Sequence, residues 1–113
     1  MKKFYRVFAV LLIVLAFALP SIAHAQRPAH VDVLTVSGAI DTWVDGYINR
    51  GISVAEQDGA VAAIIVLNTP GGALGAMQNI TTRMLNARVP VVVYVSPPGA
   101  WAGSAGTFIT LAA

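Results

Sequence analysis

The sequence predicts an α/β domain: a mostly parallel sheet with helices packed beside it. Three observations carry this prediction. Apolar runs of strand length alternate with stretches whose apolar residues recur at helical spacing. The second and third of those runs, residues 61–67 and 89–95, are almost wholly apolar, as in parallel strands covered on both faces. Each run is followed by Gly, Pro or Asn, the residues that turn a chain. The resulting order, β-α-β-α-β-α, belongs to sheets whose parallel strands are joined by crossover helices.

The elements follow in order. Residues 1–25 have the build of a secretory signal peptide. Lys2, Lys3 and Arg6 give it a positive start, and residues 7–19 are an unbroken apolar run of thirteen. Pro20 breaks the run, and Ala23-His24-Ala25 offers small residues at the first and third positions before a cut ahead of Gln26. Thirteen residues fall well short of the roughly 20 that cross a bilayer. The expected mature chain, residues 26–113, lies on the extracytoplasmic side.

Residues 31–37 alternate apolar and polar types and read as a strand. Asp41-Thr42 then caps a helix in which Trp43, Tyr47, Ile48, Ile52 and Ala55 mark one face. Gly46 and Gly51 weaken it by about 1 kcal/mol each. The apolar run 61–67 is the second strand, and Thr69-Pro70-Gly71-Gly72 turns the chain. Leu74, Met77, Ile80, Thr81, Met84 and Leu85 mark the face of a second helix. Residues 89–95 form a third strand, ended by Ser96-Pro97-Pro98-Gly99, and residues 103–113 begin a third helix. So small a parallel sheet leaves apolar edges and faces bare. The expectation is therefore an N-terminal piece of a longer domain; a complete small domain that covers its edges by oligomerising is the alternative.

Composition excludes several functions. The net charge is +2, but residues 26–113 carry four arginines against five carboxylates. That balance gives no basic stripe for nucleic acid. With no cysteine there is neither a disulfide framework nor a thiolate metal site. His30, Asp32 and Asp41 lack metal-site spacing, so no metal is expected. Asn79-Ile80-Thr81 is a glycosylation sequon by pattern alone.

Two loops could carry chemistry. In Asn68-Thr69-Pro70-Gly71-Gly72, two glycines let a ligand approach backbone N–H groups at the start of a helix. A phosphate, a carboxylate or a developing oxyanion would suit it. A dinucleotide fingerprint fails, because Pro70 replaces its first glycine and no Asp or Glu follows Asp58. A phosphate-binding P-loop fails for lack of Gly-Lys-Ser/Thr. Read alone, the loop is a plain turn between strand and helix. In the second loop, residues 99–107, small residues leave the Ser104 hydroxyl accessible where a helix starts. Ser104 is there either a nucleophile or a helix N-cap. Trp101 either lines a pocket for apolar substrate residues or simply packs. Both loops follow strands and so open at one carboxyl edge of the sheet, where α/β sites gather. Backbone donors beside a hydroxyl suit acyl transfer with an oxyanion hole.

These motifs carry a resemblance. Leu67-Asn68-Thr69-Pro70-Gly71-Gly72 resembles the N-[ST]-P-G-G element of ClpP-class serine peptidases and signal peptide peptidase A. Together with residues 89–97 and 99–107, it resembles the NfeD family of membrane-bound serine proteases more closely. The resemblance implies a ClpP/crotonase-like fold, incomplete in this chain, and a Ser–Lys dyad. Ser104 matches the nucleophile; Gly71 or Gly72, with Ala105, matches the oxyanion hole. No cofactor is implied. The implied partners are peptide or membrane-protein substrates, stomatin-like proteins cut in hydrophobic segments, and further copies in a homo-oligomer. The family's lysine lies some tens of residues past the serine, whereas the only lysines here are Lys2 and Lys3. The chain on its own is therefore expected to be inactive, with its base and membrane anchor beyond residue 113. Two rivals keep the fold: a crotonase-like acyl-CoA enzyme that stabilises an enolate, and a non-catalytic scaffold for a membrane partner.

Overall fold

A computed structural model describes Met1 and residues 28–113. The expected signal peptide, residues 1–25, lies outside the described residues but for Met1. Strand β1 is Val31–Ser37. Helix α1, Thr42–Asp58, starts where Asp41 Oδ1 accepts the N–H groups of Trp43 and Val44, each at 2.9 Å. It stops at Gly59, whose φ of 78° turns the chain and returns the Gly59 N–H to the Ala55 carbonyl. Strand β2, Ala62–Asn68, helix α2, Leu74–Leu85, strand β3, Val91–Val95, and helix α3, Ala105–Leu111, complete the described fold.

The sheet is parallel throughout, in the order β1-β2-β3. Leu34 stands beside Ile65, and Ile65 beside Val93. Two crossovers that step the same way place α1 and α2 on one face. That face holds the core, in which Ile48, Ile52, Ile65, Leu67, Ile80 and Ile109 are fully buried. Each such side chain stabilises the fold by about 1.5–3 kcal/mol.

The opposite face is bare, as expected of so small a sheet: Val33, Val92 and Tyr94 are exposed, Tyr94 to 59%. The apolar runs of β2 and β3, read as strands covered on both sides, are covered on one, where the described helices all pack. Helix faces were also drawn too wide: Trp43 is 84% exposed, and Leu74 and Leu85 stand clear of the core as well. These residues occupy helix ends, which overhang the sheet, so helical spacing alone overstates their burial. Strand β3 begins at Val91 rather than Val89 because Pro90 has no N–H to give; its carbonyl still accepts the Ala63 N–H at 2.9 Å.

One ion pair ties the helices together. Glu56 on α1 receives both guanidinium arms of Arg83 on α2, at 2.8 and 3.1 Å, and the Arg88 backbone N–H at 2.9 Å. The Arg83 hydrogen bonds first, and the Arg88 N–H second, hold the Glu56 carboxyl down to about 2. A depressed carboxyl contributes stability above its ordinary value and loses it as pH falls through its folded value. Thermal melts should therefore lose stability between about pH 4.5 and pH 2, and Glu56→Gln should flatten that limb while lowering the neutral-pH midpoint by several degrees. An unchanged acid limb in the variant would exclude this pair as its source.

Candidate active site

The segment after β2 behaves as a further stretch of the central strand. On one side Gly38 N–H donates to the Asn68 carbonyl at 2.9 Å, Ile40 N–H to the Gly71 carbonyl at 2.9 Å, and Ala73 N–H to the Ile40 carbonyl at 2.8 Å. On the other side Thr69 N–H donates to the Trp101 carbonyl at 2.7 Å, and Gly103 N–H to the Thr69 carbonyl at 2.9 Å. Asn68 Oδ1 adds a bond from Trp101 N–H at 3.1 Å. The two candidate loops are thus fastened edge to edge, as their shared place at the carboxyl end of the sheet predicts.

This fastening brings Ser104 against Gly71. A Cβ on Gly71 would stand 2.6 Å from Ser104 Cβ and 3.2 Å from its Oγ. Gly71 has φ of 118°, so it combines a conformation and a closeness that only glycine supplies. Ser104 itself has φ of 51° and ψ of −113°. It is the one non-glycine residue with positive φ among those described. That corner of conformational space is where a type II′ turn places glycine. Strain of this kind gathers at functional sites.

The N-cap alternative for Ser104 does not fit this geometry. The residue stands ahead of α3, but its side chain makes no capping hydrogen bond, and its backbone is not extended as an N-cap's is. It is exposed, whereas Ala105 behind it is 4% exposed. Of the three candidate donors, Gly71 N–H is already given to Thr69 Oγ1 at 3.0 Å. Gly72 N–H and Ala105 N–H have no acceptor among the described residues. Trp101 is 69% exposed and bonded through its backbone alone, so its indole is not fixed by packing.

The model for the N-terminal domain of NfeD1b matches residues 30–113, the stretch in which this site sits. The chain belongs to the NfeD1b family.

Its relatives are proteases. Membrane-bound protease PH1510 of Pyrococcus horikoshii is 48% identical over 81 residues, 72% of this chain and 18% of that one. A membrane-bound stomatin-specific protease, 1510-N, solved as a serine-to-alanine mutant, superposes with a TM-score of 0.74 at 44% identity over 76% of this chain and 42% of that one. The same protease as a lysine-to-alanine mutant, in complex with a substrate peptide, gives 0.72 at 46% identity over 74% and 38%. ClpP1 from Listeria monocytogenes gives 0.66 at 23% identity over 72% and 46%, a likeness of fold. The chain spans less than half the length of each of these relatives. The fold is thus ClpP-like, in the part that this chain covers.

Elsewhere in this NfeD1b domain, the structure regroups the remaining candidates. Asp41 caps α1 and does not meet His30. Asp58, at the end of α1, takes its place: His30 Nε2 lies 3.2 Å from Asp58 Oδ1 and 3.8 Å from Asp32 Oδ1. Sequence spacing missed this group because Asp58 joins it only when the chain returns into β2, where Val61 N–H meets the His30 carbonyl at 2.8 Å. The Pro28 carbonyl, then Asp58, raises the His30 imidazole above its ordinary value. His30 precedes β1, at the amino end of the sheet, whereas Ser104 stands at the carboxyl end; it is no partner for the serine. Asn79 donates to Asp45 Oδ2 at 2.9 Å across an open polar cleft of about 420 Å³ between α1 and α2. Asp45, Asn49, Asn79, Thr82, Arg83 and Asn86 line that cleft, which shares no residue with the serine loops. Among the described residues no helix is long and apolar enough to cross a membrane.

Proposed function

We propose that this chain carries the nucleophile and the oxyanion donors of a serine endopeptidase. The observation that supports it best is Ser104: exposed, uncapped, in a conformation that glycine would prefer, and against a glycine that has no room for a side chain. Ser104 Oγ attacks the scissile carbonyl. Its proton passes to a neutral lysine amine supplied by chain outside this sequence, kept neutral by burial. The carbonyl oxygen takes up negative charge and is met by Gly72 N–H and Ala105 N–H, the two donors left free. The peptide amine leaves with the proton that the lysine returns, and water then releases the acyl group by the same route. A lysine base finds support in the relative solved with substrate peptide as a lysine-to-alanine mutant.

The substrates are hydrophobic segments of membrane-associated, stomatin-like proteins, a reading that follows the stomatin-specific relatives. The bare edge of β3 offers strand addition to such a segment, and Trp101 stands free to contact its apolar side chains. Residues 1–25 direct the chain out of the cytoplasm and are removed, residues 26–113 form the N-terminal part of the protease domain, and further chain supplies the base and the membrane anchor. The complete protein assembles as a homo-oligomer. Enolate chemistry on an acyl-CoA has no use for a strained, exposed hydroxyl, and CoA is absent where a secreted chain works.

Incubation of the complete protein with a fluorophosphonate, followed by peptide mass spectrometry, tests the reading. The probe should bond to Ser104 Oγ with loss of fluoride, and Ser104→Ala should take up none. Absence of label, or label on another residue, would overturn the assignment.

A further inference from the structure

We propose that Thr69 is a positioning residue for this site: its buried hydroxyl locks the Gly71 peptide, so that Gly72 N–H, and not Gly71 N–H, is the donor offered to the reacting carbonyl. The inference rests on the reading of Ser104 as nucleophile. Thr69 is fully enclosed, the one buried polar residue among those described. Its Oγ1 accepts the Gly71 N–H at 3.0 Å and donates to the Gly71 carbonyl at 3.3 Å, closing a ring around one residue. Its backbone fastens the serine loop, through Trp101 on one side and Gly103 on the other. Its methyl stands where Gly106 has no side chain: a Cβ there would come within 2.5 Å of Thr69 Cγ2.

Four hydrogen bonds and one close methyl contact therefore meet in one buried residue that makes no hydrogen bond to Ser104. The hydroxyl is the one that acts on the site. Without it, the buried Gly71 N–H loses its acceptor, and the Gly71 carbonyl, which shares its peptide plane with the Gly72 N–H, is held by the Ile40 N–H alone. A tilt of that peptide about its one remaining bond turns the Gly72 N–H away from the oxyanion and moves the surface against which the Ser104 side chain rests. A donor that meets charge only in the transition state affects turnover, not substrate binding. The methyl, by contrast, is spacing against α3.

Steady-state cleavage of a hydrophobic peptide by the complete protein, wild type against three variants, tests the assignment. Loss of one oxyanion donor costs about 10²–10³ in kcat, and a misplaced donor less. Thr69→Val keeps the shape and removes the hydroxyl; it should lower kcat by about 10–100-fold with KM within about twofold. Thr69→Ser keeps the hydroxyl and should hold kcat within about threefold of wild type. Thr69→Ala removes both groups without adding bulk and serves if the valine variant does not fold; its kcat should fall as far. A folded valine or alanine variant with wild-type kcat would overturn the proposal, as would a serine variant as slow as the valine one. Should the wild type itself show no cleavage that depends on Ser104, the reading of the nucleophile falls, and this inference with it.

Discussion

Replacing Ser104 by glycine should abolish peptide cleavage by the complete protein and raise its melting temperature in the same step. The first effect follows from chemistry: without the hydroxyl there is no acyl-enzyme, and loss of a serine nucleophile costs about 10⁴-fold or more in kcat. The second follows from the backbone. At φ of 51° and ψ of −113° a side chain is crowded and glycine is not, a strain of about 1–3 kcal/mol. Glycine returns about 0.5–1 kcal/mol of that through the greater freedom of the unfolded chain. A net gain near 1 kcal/mol is about 2–4 °C in a protease domain more than twice as long as the part covered here. Ser104→Ala supplies the contrast, because it keeps Cβ and hence the strain; it should lose cleavage with no gain in melting temperature. Equal melting midpoints for the glycine and alanine variants would mean that Ser104 is not held under strain.

The contrast between chemistry and strain also marks where the sequence was legible. The strand at Val31–Ser37 and the capped start of α1 were readable, because alternation and an Asp ahead of a helix are local signals. The meeting of the two loops was readable by topology: both follow strands of one parallel sheet, so Gly71 and Ser104 were expected at the same edge, and they touch. Other features were beyond local signals. Thr69 reads as one letter of a turn, yet its role depends on residues more than thirty positions later, Trp101, Gly103 and Gly106. The positive φ of Ser104 has no mark in composition, since serine is neither Gly nor Asn. His30 reads as a loose tail beside Pro28, but Asp58 reaches it after a whole helix has intervened. Bare apolar residues such as Tyr94 and Leu85 were misjudged because periodicity tells which residues share a face and not whether anything covers that face.

Gly72→Ala should unfold the domain or lower its melting temperature by tens of degrees, although the substitution adds a single methyl group. The Cβ would stand 2.0 Å from the Ile40 carbonyl oxygen, 2.6 Å from the Ile40 nitrogen and 2.7 Å from its carbonyl carbon. All three are backbone atoms, and none can swing aside as a side chain could. Ile40 is fully buried, and both its N–H and its carbonyl are bonded, to Gly71 and Ala73. Relief therefore requires the β1 and β2 extensions to part, which breaks the parallel bridge between Ile40 and Gly72 and orphans two buried backbone groups. A cost of about 4 kcal/mol or more is expected, at the extreme of single substitutions. Gly75→Ala is the matched control: it lies in the first turn of α2 with nothing within 4 Å of the new Cβ, and should gain up to about 1 kcal/mol. Circular dichroism melts of the two variants measure the difference directly, and a Gly72→Ala protein that melts with the wild type would refute the close approach. The neighbouring glycines of one short turn thus meet different demands. Gly71 is bare toward the serine, whose side chain fills the space a Cβ would take; Gly72 is bare toward Ile40, and without that contact the strands that carry the serine would not lie together.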